Sequence, residues 1–209
     1  MKNKNNNSPW SLKINTASLV LIPAAVGINY IGKLFAGMLK LPLWLDSIGT
    51  CLAAALAGPV VGAISGAINN IIYGVTMDPI STVYAFSQAG IGIVVGLMAY
   101  YGALKSLKGT LLTGIFGGAA AVVISTPLNI IFWGGTTGNL WGDLEYAAAV
   151  AKHFPLWQAS TIDEIIVDIP DKIVVLLLVA ALFKGLPKSL MSLYPVSLTH
   201  LTLPTILLV

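Results

Sequence analysis

The sequence predicts an all-α polytopic membrane protein: six transmembrane helices, short loops, and both termini on the cytoplasmic side. Three observations predict it. Of the 209 residues, 56% are hydrophobic and only 9% charged, with a mean hydropathy of +0.87, whereas a soluble domain carries about 25% charged residues. Apolar runs near the length that crosses a bilayer, roughly 20 residues, follow one another with little between them. The lysines, finally, sort to one side of those runs. Residues 1–16 form an N-terminal tail, 17–187 the membrane domain and 188–209 a C-terminal tail, which leaves no room for a separate soluble domain.

Apolar runs and their punctuation place the spans at 17–39, 43–57, 58–75, 84–104, 110–133 and 160–183. The second is short. The turn at Gly58-Pro59 opens the third, since proline is tolerated in a first helical turn, where its missing N–H would have no partner. Within the third span Gly58, Gly62 and Gly66 recur at every fourth position, and Asn70 extends the stripe. Such a glycine ladder lets another helix backbone approach closely. With the N-terminus inside, Lys2, Lys4, Lys13, Lys105, Lys108, Lys184 and Lys188 are cytoplasmic, and only Lys40 and Lys152 fall in outer loops. Lys33 and Lys172 lie within spans. All eleven basic residues are lysine, too dilute a set for nucleic-acid binding.

The polar N-terminus leads directly into a full-length span without a small-residue cleavage pattern, so no cleaved signal peptide is expected. The longest outer connection is 134–159. It reads either as a lid or binding loop or as a spacer, and 143–152 has the pattern of a short amphipathic surface helix. The segment from about Tyr194, with Ser197-Leu-Thr-His-Leu-Thr-Leu-Pro-Thr205, resembles translated adapter sequence, and is set aside from function; its alternative is a short interfacial segment.

Two constellations carry chemistry. In the sixth span Glu164, Asp168 and Lys172 fall at i, i+4 and i+8 on one face. Lys172 lies roughly 18 Å below the outer end of the span, where an unpaired charge costs at least about 2.5 kcal/mol. A structural ion pair between Asp168 and Lys172 is the favoured reading, with Asp163 and Glu164 as ligand contacts near the outer mouth. An intramembrane aspartyl dyad is disfavoured, because the other spans supply no deeply placed acid. Pro170 frees the carbonyl of Ile166.

The second constellation is polar and aromatic: Asn70 and Tyr73 near the end of the third span, Tyr84 and Gln88 at the start of the fourth, Asn129 and Trp133 at the end of the fifth, and Trp44 and Asp46 beside the first outer loop. Under this topology all gather at the outer face, where amides and aromatic plates suit a planar, hydrogen-bonding small molecule. For Trp44, Trp141 and Trp157 the interfacial-anchor reading is favoured. For Asn70, Gln88 and Asn129 the ligand reading is better, since anchoring does not explain buried amides. The sequence holds no phosphate-binding motif, no metal-ligand cluster and no nucleophile beside a histidine. A non-enzyme without cofactor is therefore expected.

Taken together, the features resemble the substrate-binding (S) component of energy-coupling factor (ECF) vitamin transporters. The segment 56–70 is similar to the family's Gly-Pro-x-x-Gly-Ala-x-x-Gly run. Leu41-Pro42-Leu43-Trp44-Leu45-Asp46 resembles its first outer loop, and Asp168-Ile169-Pro170-Asp171-Lys172 its acid-x-Pro-x-basic element. The resemblance implies a bacterial plasma-membrane protein that captures a vitamin-like small molecule outside and delivers it with a transmembrane coupling subunit and two ATPase subunits. It further implies that residues 40–46 act as a gate and that small residues on the first helix form the docking surface. The family's alanine pair is missing there; Gly32 and Ala36, with Ala25 beside them, are the nearest substitutes. The alternatives are a membrane ligand-sensor module and a small proton-coupled secondary carrier. The acids Asp46, Asp78, Asp163 and Glu164 at the mouth, against Lys40 and Lys152, disfavour a polyanionic ligand.

Overall fold

The computed structural model describes Trp10 and residues 15–194. Lys2, Lys4, Lys13 and the segment from 195 lie outside the described residues. The described residues form α-helices and two short 3-10 turns, with no strand: α1 (Thr16–Met38), α2 (Ile48–Ala57), α3 (Pro59–Thr76), α4 (Ala85–Tyr100), α5 (Leu107–Trp133), α6 (Leu140–Ala151), α7 (Leu156–Gly185) and α8 (Lys188–Met191). Among them α1, α3 and α5 are long and apolar enough to cross a membrane, while α2 and α4 are shorter apolar helices. α7 spans 30 residues and carries six charged side chains.

The second apolar run contributes less helix than expected. Residues 43–47 form part of a loop, and the ten residues of α2 span only about 15 Å. Gly49 to Leu56 are all buried, because α2 fills the centre of the bundle against α1, α3, α4 and α7. Outside it, α1 packs on α3, α3 on α4, α4 on α5 and α5 on α7, while α6 lies on α7. The Asn15 amide donates to the Leu193 carbonyl at 3.0 Å, so the two ends of the described chain meet at one face of the bundle.

Small and polar residues fill the interior, and large apolar ones cover the outside. Ala53, Ala54, Ser65, Asn69, Asn129 and Thr113 are fully buried, whereas Val20, Ile31, Met38, Val75, Phe86, Val123 and Ile131 are exposed. Water would reverse that order; a bilayer accommodates it, since lipid offers no hydrophobic drive and helices associate through close packing.

The glycine ladder sits in this interior, with one change. Gly58 is not a rung of α3. It is the joint between α2 and α3, with a φ of 97° that any side chain would strain. Gly62 packs on Ala54 of α2, and Gly66 lies between Thr50 and Gln88. Gly92 and Gly96 of α4 close on the backbone of Gly62, Ala63 and Pro59. Gly92→Ala is expected to cost about 1–3 kcal/mol, because the added methyl meets backbone that cannot yield without separating α3 from α4. Thermal unfolding in detergent checks this, with Gly27→Ala, where nothing lies within 4 Å, expected to leave the midpoint unchanged or slightly raised.

Gly32 and Ala36, expected at a docking surface, face inward instead. Gly32 is pressed against the Leu45 carbonyl, Ala36 is 3% exposed, and Ala25 is buried where Gly49 crosses it. Gly32 holds the 39–47 loop to α1, and Ala25 holds α2 to it.

Candidate functional site

The polar residues that the sequence scatters over five apolar runs converge at one end of the bundle. Antiparallel succession brings the end of α1, the end of α3, the start of α4, the last third of α5 and the first half of α7 to the same level. They enclose an inner cavity of about 60 Å³, lined by Asp46, Asn70, Tyr84, Gln88, Glu164 and Lys172 among others. An outer cavity of about 370 Å³ lies between α1, the first outer loop and residues 138–140, and Tyr73 contributes to its wall. Lys33, Trp44 and Asp78 line both, so the two cavities adjoin at these side chains. The outer cavity alone falls in the range of roughly 300–1,000 Å³ found for small-molecule sites.

The floor of the site is held by buried amides. The Asn29 carbonyl oxygen accepts from the Gly49 and Thr50 N–H groups at 2.7 and 3.2 Å. It thereby satisfies the first turn of α2, whose own N-cap residue Ser47 makes no side-chain cap. The Asn29 amide donates to the Thr50 hydroxyl, which donates to the Gln88 carbonyl oxygen at 3.1 Å, and Gln88 in turn donates to the Asp46 carbonyl at 3.4 Å. Gln88 is thus committed to joining α2, α4 and the first loop as well as lining the cavity.

Lys172 is buried, 1% exposed, with Nζ 2.5 Å from Asp171, 3.0 Å from Asp168 and 3.9 Å from Asp46. Sequence spacing supplied Asp168 alone. Asp46 arrives from the first loop and Asp171 from the preceding residue. Asp171 also accepts the Trp44 and Leu45 N–H groups at 3.1 and 2.9 Å, which pins that loop to α7. A second lysine within the bundle, Lys33, donates to the Ser81 hydroxyl at 2.8 Å, stands 3.9 Å from Asp46 and lies over the rings of Trp44 and Tyr73 at 5.6 and 4.6 Å.

On the opposite wall a directed chain runs from Tyr84 to α7. The Tyr84 hydroxyl donates to the Asn129 carbonyl oxygen, and the Asn129 amide donates to Glu164 Oε1 at 2.6 Å. Glu164 adjoins the Asp168 carboxyl one turn further along α7, and both line the inner cavity. Trp133 lies near Tyr84 but lines neither cavity.

Asp163, grouped with Glu164 in the sequence reading, turns elsewhere. It is fully buried, accepts from the Thr137 N–H and hydroxyl at 3.2 and 2.9 Å, and packs against Gly142. It anchors the 134–139 connection and does not line the cavities. That connection and α6 form a roof joined to the first loop, through Trp141 Nε1 to the Lys40 carbonyl at 2.9 Å and Asn139 Nδ2 to the Leu41 carbonyl at 3.4 Å. The amphipathic helix expected at 143–152 is α6, which begins slightly earlier.

Of the residues singled out from sequence, Trp44, Asp46, Asn70, Tyr84, Gln88, Glu164, Asp168 and Lys172 meet at the inner cavity, Tyr73 reaches the outer one, and Asn129 stands directly behind Glu164. Trp44, favoured as an interfacial anchor, lines both cavities. Sequence reasoning passed over Lys33, Asn29, Asp171 and Ser81. The signal for Lys33 was present: a lysine inside a span demands a partner or water. Among the described residues no group of three His, Cys, Asp or Glu side chains is placed to hold a metal ion. Compared with protein-family models, curated proteins and solved structures, the chain finds no match.

Proposed function

We propose that the protein is the substrate-capture subunit of an ECF-type importer in a bacterial plasma membrane. It binds a vitamin-like small molecule from outside and delivers it with a transmembrane coupling subunit and two ATPases. In this reading α1, α2, α3, α4, α5 and α7 are the six membrane helices, both termini are cytoplasmic, and α6 lies on the outer surface. One observation supports it: two adjoining cavities, lined by polar side chains from five helices and the 39–47 loop, lie at one end of an apolar bundle, where that loop is hydrogen-bonded to Asn139 and Trp141. The two parts of the roof meet through two side-chain hydrogen bonds, a seam that can part at small cost, while Asp171 and Asp163 hold each part to α7 and the Asn29 and Gln88 network keeps the floor in place. With Gly32 and Ala36 used internally, the face of α1 left for a coupling subunit carries Val20, Ala24, Ile31 and Phe35.

The purified chain, titrated with a vitamin panel, is expected to show saturable quenching of tryptophan fluorescence by one compound. Trp44→Phe is expected to remove most of that signal, since Trp44 alone of the five tryptophans lines either cavity. Quenching unchanged in Trp44→Phe would place binding elsewhere, and no response across the panel would set the capture reading aside. A proton-coupled carrier is favoured by one feature, the Asp168–Lys172 pair beside the cavity. It predicts uptake into vesicles without ATPase partners, whereas the capture reading predicts none.

A further inference from the structure

The inner cavity is lined by more acid than base, and the bases are already engaged. Asp46, Asp78, Glu164 and Asp168 face two lysines. Lys172 is held among Asp171, Asp168 and Asp46, and Lys33 by Ser81 and the rings of Trp44 and Tyr73. Asp78 is occupied at the rim by the Ile80 N–H and the Ser81 hydroxyl. Glu164 differs from the others. It is 2% exposed, no lysine is paired with it, and the charged group beside it is a second carboxyl, that of Asp168.

The chain behind Glu164 fixes which kind of partner is missing. Tyr84 donates to Asn129 and Asn129 donates to Glu164 Oε1, while Glu164 also adjoins the Asp168 carboxyl, so two acidic groups stand side by side with no lysine on Glu164. A second acceptor, Asp168, follows one helical turn later on the same wall. A buried carboxylate oxygen is costly to leave unmatched, and planar nitrogen groups with paired N–H donors match carboxylates best. At about 60 Å³ the inner chamber admits a headgroup, and the outer chamber of about 370 Å³ has room for the body attached to it.

Building on the capture reading, we infer that the ligand is a small planar molecule that enters nitrogen end first, with a cationic or amidine-like group anchored on Glu164 and its ring in the passage beside Trp44. Anionic headgroups are excluded by the same wall.

Isothermal titration of the full chain in lipid nanodiscs with benzamidine, benzamide and benzoate tests this, because the three share a ring and differ in headgroup charge. The expected result is benzamidine binding roughly tenfold or more tightly than either isostere, with Glu164→Gln reducing that preference to about threefold or less. Benzoate or benzamide binding as well as benzamidine, or no preference among the three, overturns the assignment. Should Glu164→Gln fail to fold, the wild-type series still decides. The vitamin panel separates the two levels of the reading: an anionic vitamin lacking nitrogen donors that quenches through Trp44 overturns the headgroup inference and leaves capture standing. Silence from the panel and from all three probes removes both.

Discussion

Lys172→Met is expected to destabilise the protein by about 3–5 kcal/mol, the cost of removing one partner from a buried ionic cluster. The lysine is 1% exposed and sits 16 residues into α7, about 24 Å along the helix. Its ammonium is shared by carboxylates from two parts of the chain, at 2.5 Å from Asp171, 3.0 Å from Asp168 and 3.9 Å from Asp46. Methionine keeps the length of the stem and removes the charge, so three buried acids lose their shared cation, and Asp168 is left with none while Asp46 keeps Lys33 and Asp171 its two backbone donors. The thermal midpoint in detergent should fall by roughly 10 °C for a chain of this size. Adding Asp168→Asn should return part of the loss, because Asp168 depends on Lys172 while Asp171 retains two backbone donors. A midpoint within about 2 °C of wild type, under 1 kcal/mol, would show that the cluster does not rely on the lysine.

The fold was legible in the chain because each apolar run is closed by its own local signal. Gly58-Pro59 ends α2 and starts α3, the Gly134-Gly135 pair follows α5, and the fourth-position glycines mark the faces where α3 and α4 meet. What the sequence obscured depends on partners distant along the chain. Residues 43–47 are apolar enough to read as helix, yet Asp171 draws the Trp44 and Leu45 N–H groups out of any helical ladder and Asn29 takes over the first turn of α2. Helical spacing paired Lys172 with Asp168 correctly in distance but missed Asp171. Adjacent residues on a helix point about 100° apart, and only a long flexible stem folds back to meet its neighbour. The same rotation separates Asp163 from Glu164: one turns to the roof, the other to the cavity. Composition and spacing place both acids at the mouth and cannot say which is consumed by structure.

Asp171→Ala is expected to release the first outer loop, and Asp171→Asn to retain it. One carboxylate oxygen accepts the Trp44 and Leu45 N–H groups, and the other binds Lys172. Leu45 holds a φ of 52°, a region costly for a leucine, and persists there because Asp171 below and Gly32 beside it fix the backbone. Alanine deletes the acceptor and strands two N–H groups, at about 1–3 kcal/mol each. The loop then relaxes, carrying Trp44 out of the passage between the cavities. Asparagine preserves an acceptor for both N–H groups while removing the charge, so it weakens the hold on Lys172 and leaves the loop in place. Hydrogen exchange at residues 43–47 should accelerate at least roughly tenfold in the alanine variant, the equivalent of about 1.4 kcal/mol, and change far less in the asparagine variant. The proposed capture function adds that ligand release measured through Trp44 follows the same order. Equal exchange in the two variants would mean that charge on Lys172, and not acceptance of the two amides, holds the loop. The loop and the ion cluster would then be one unit.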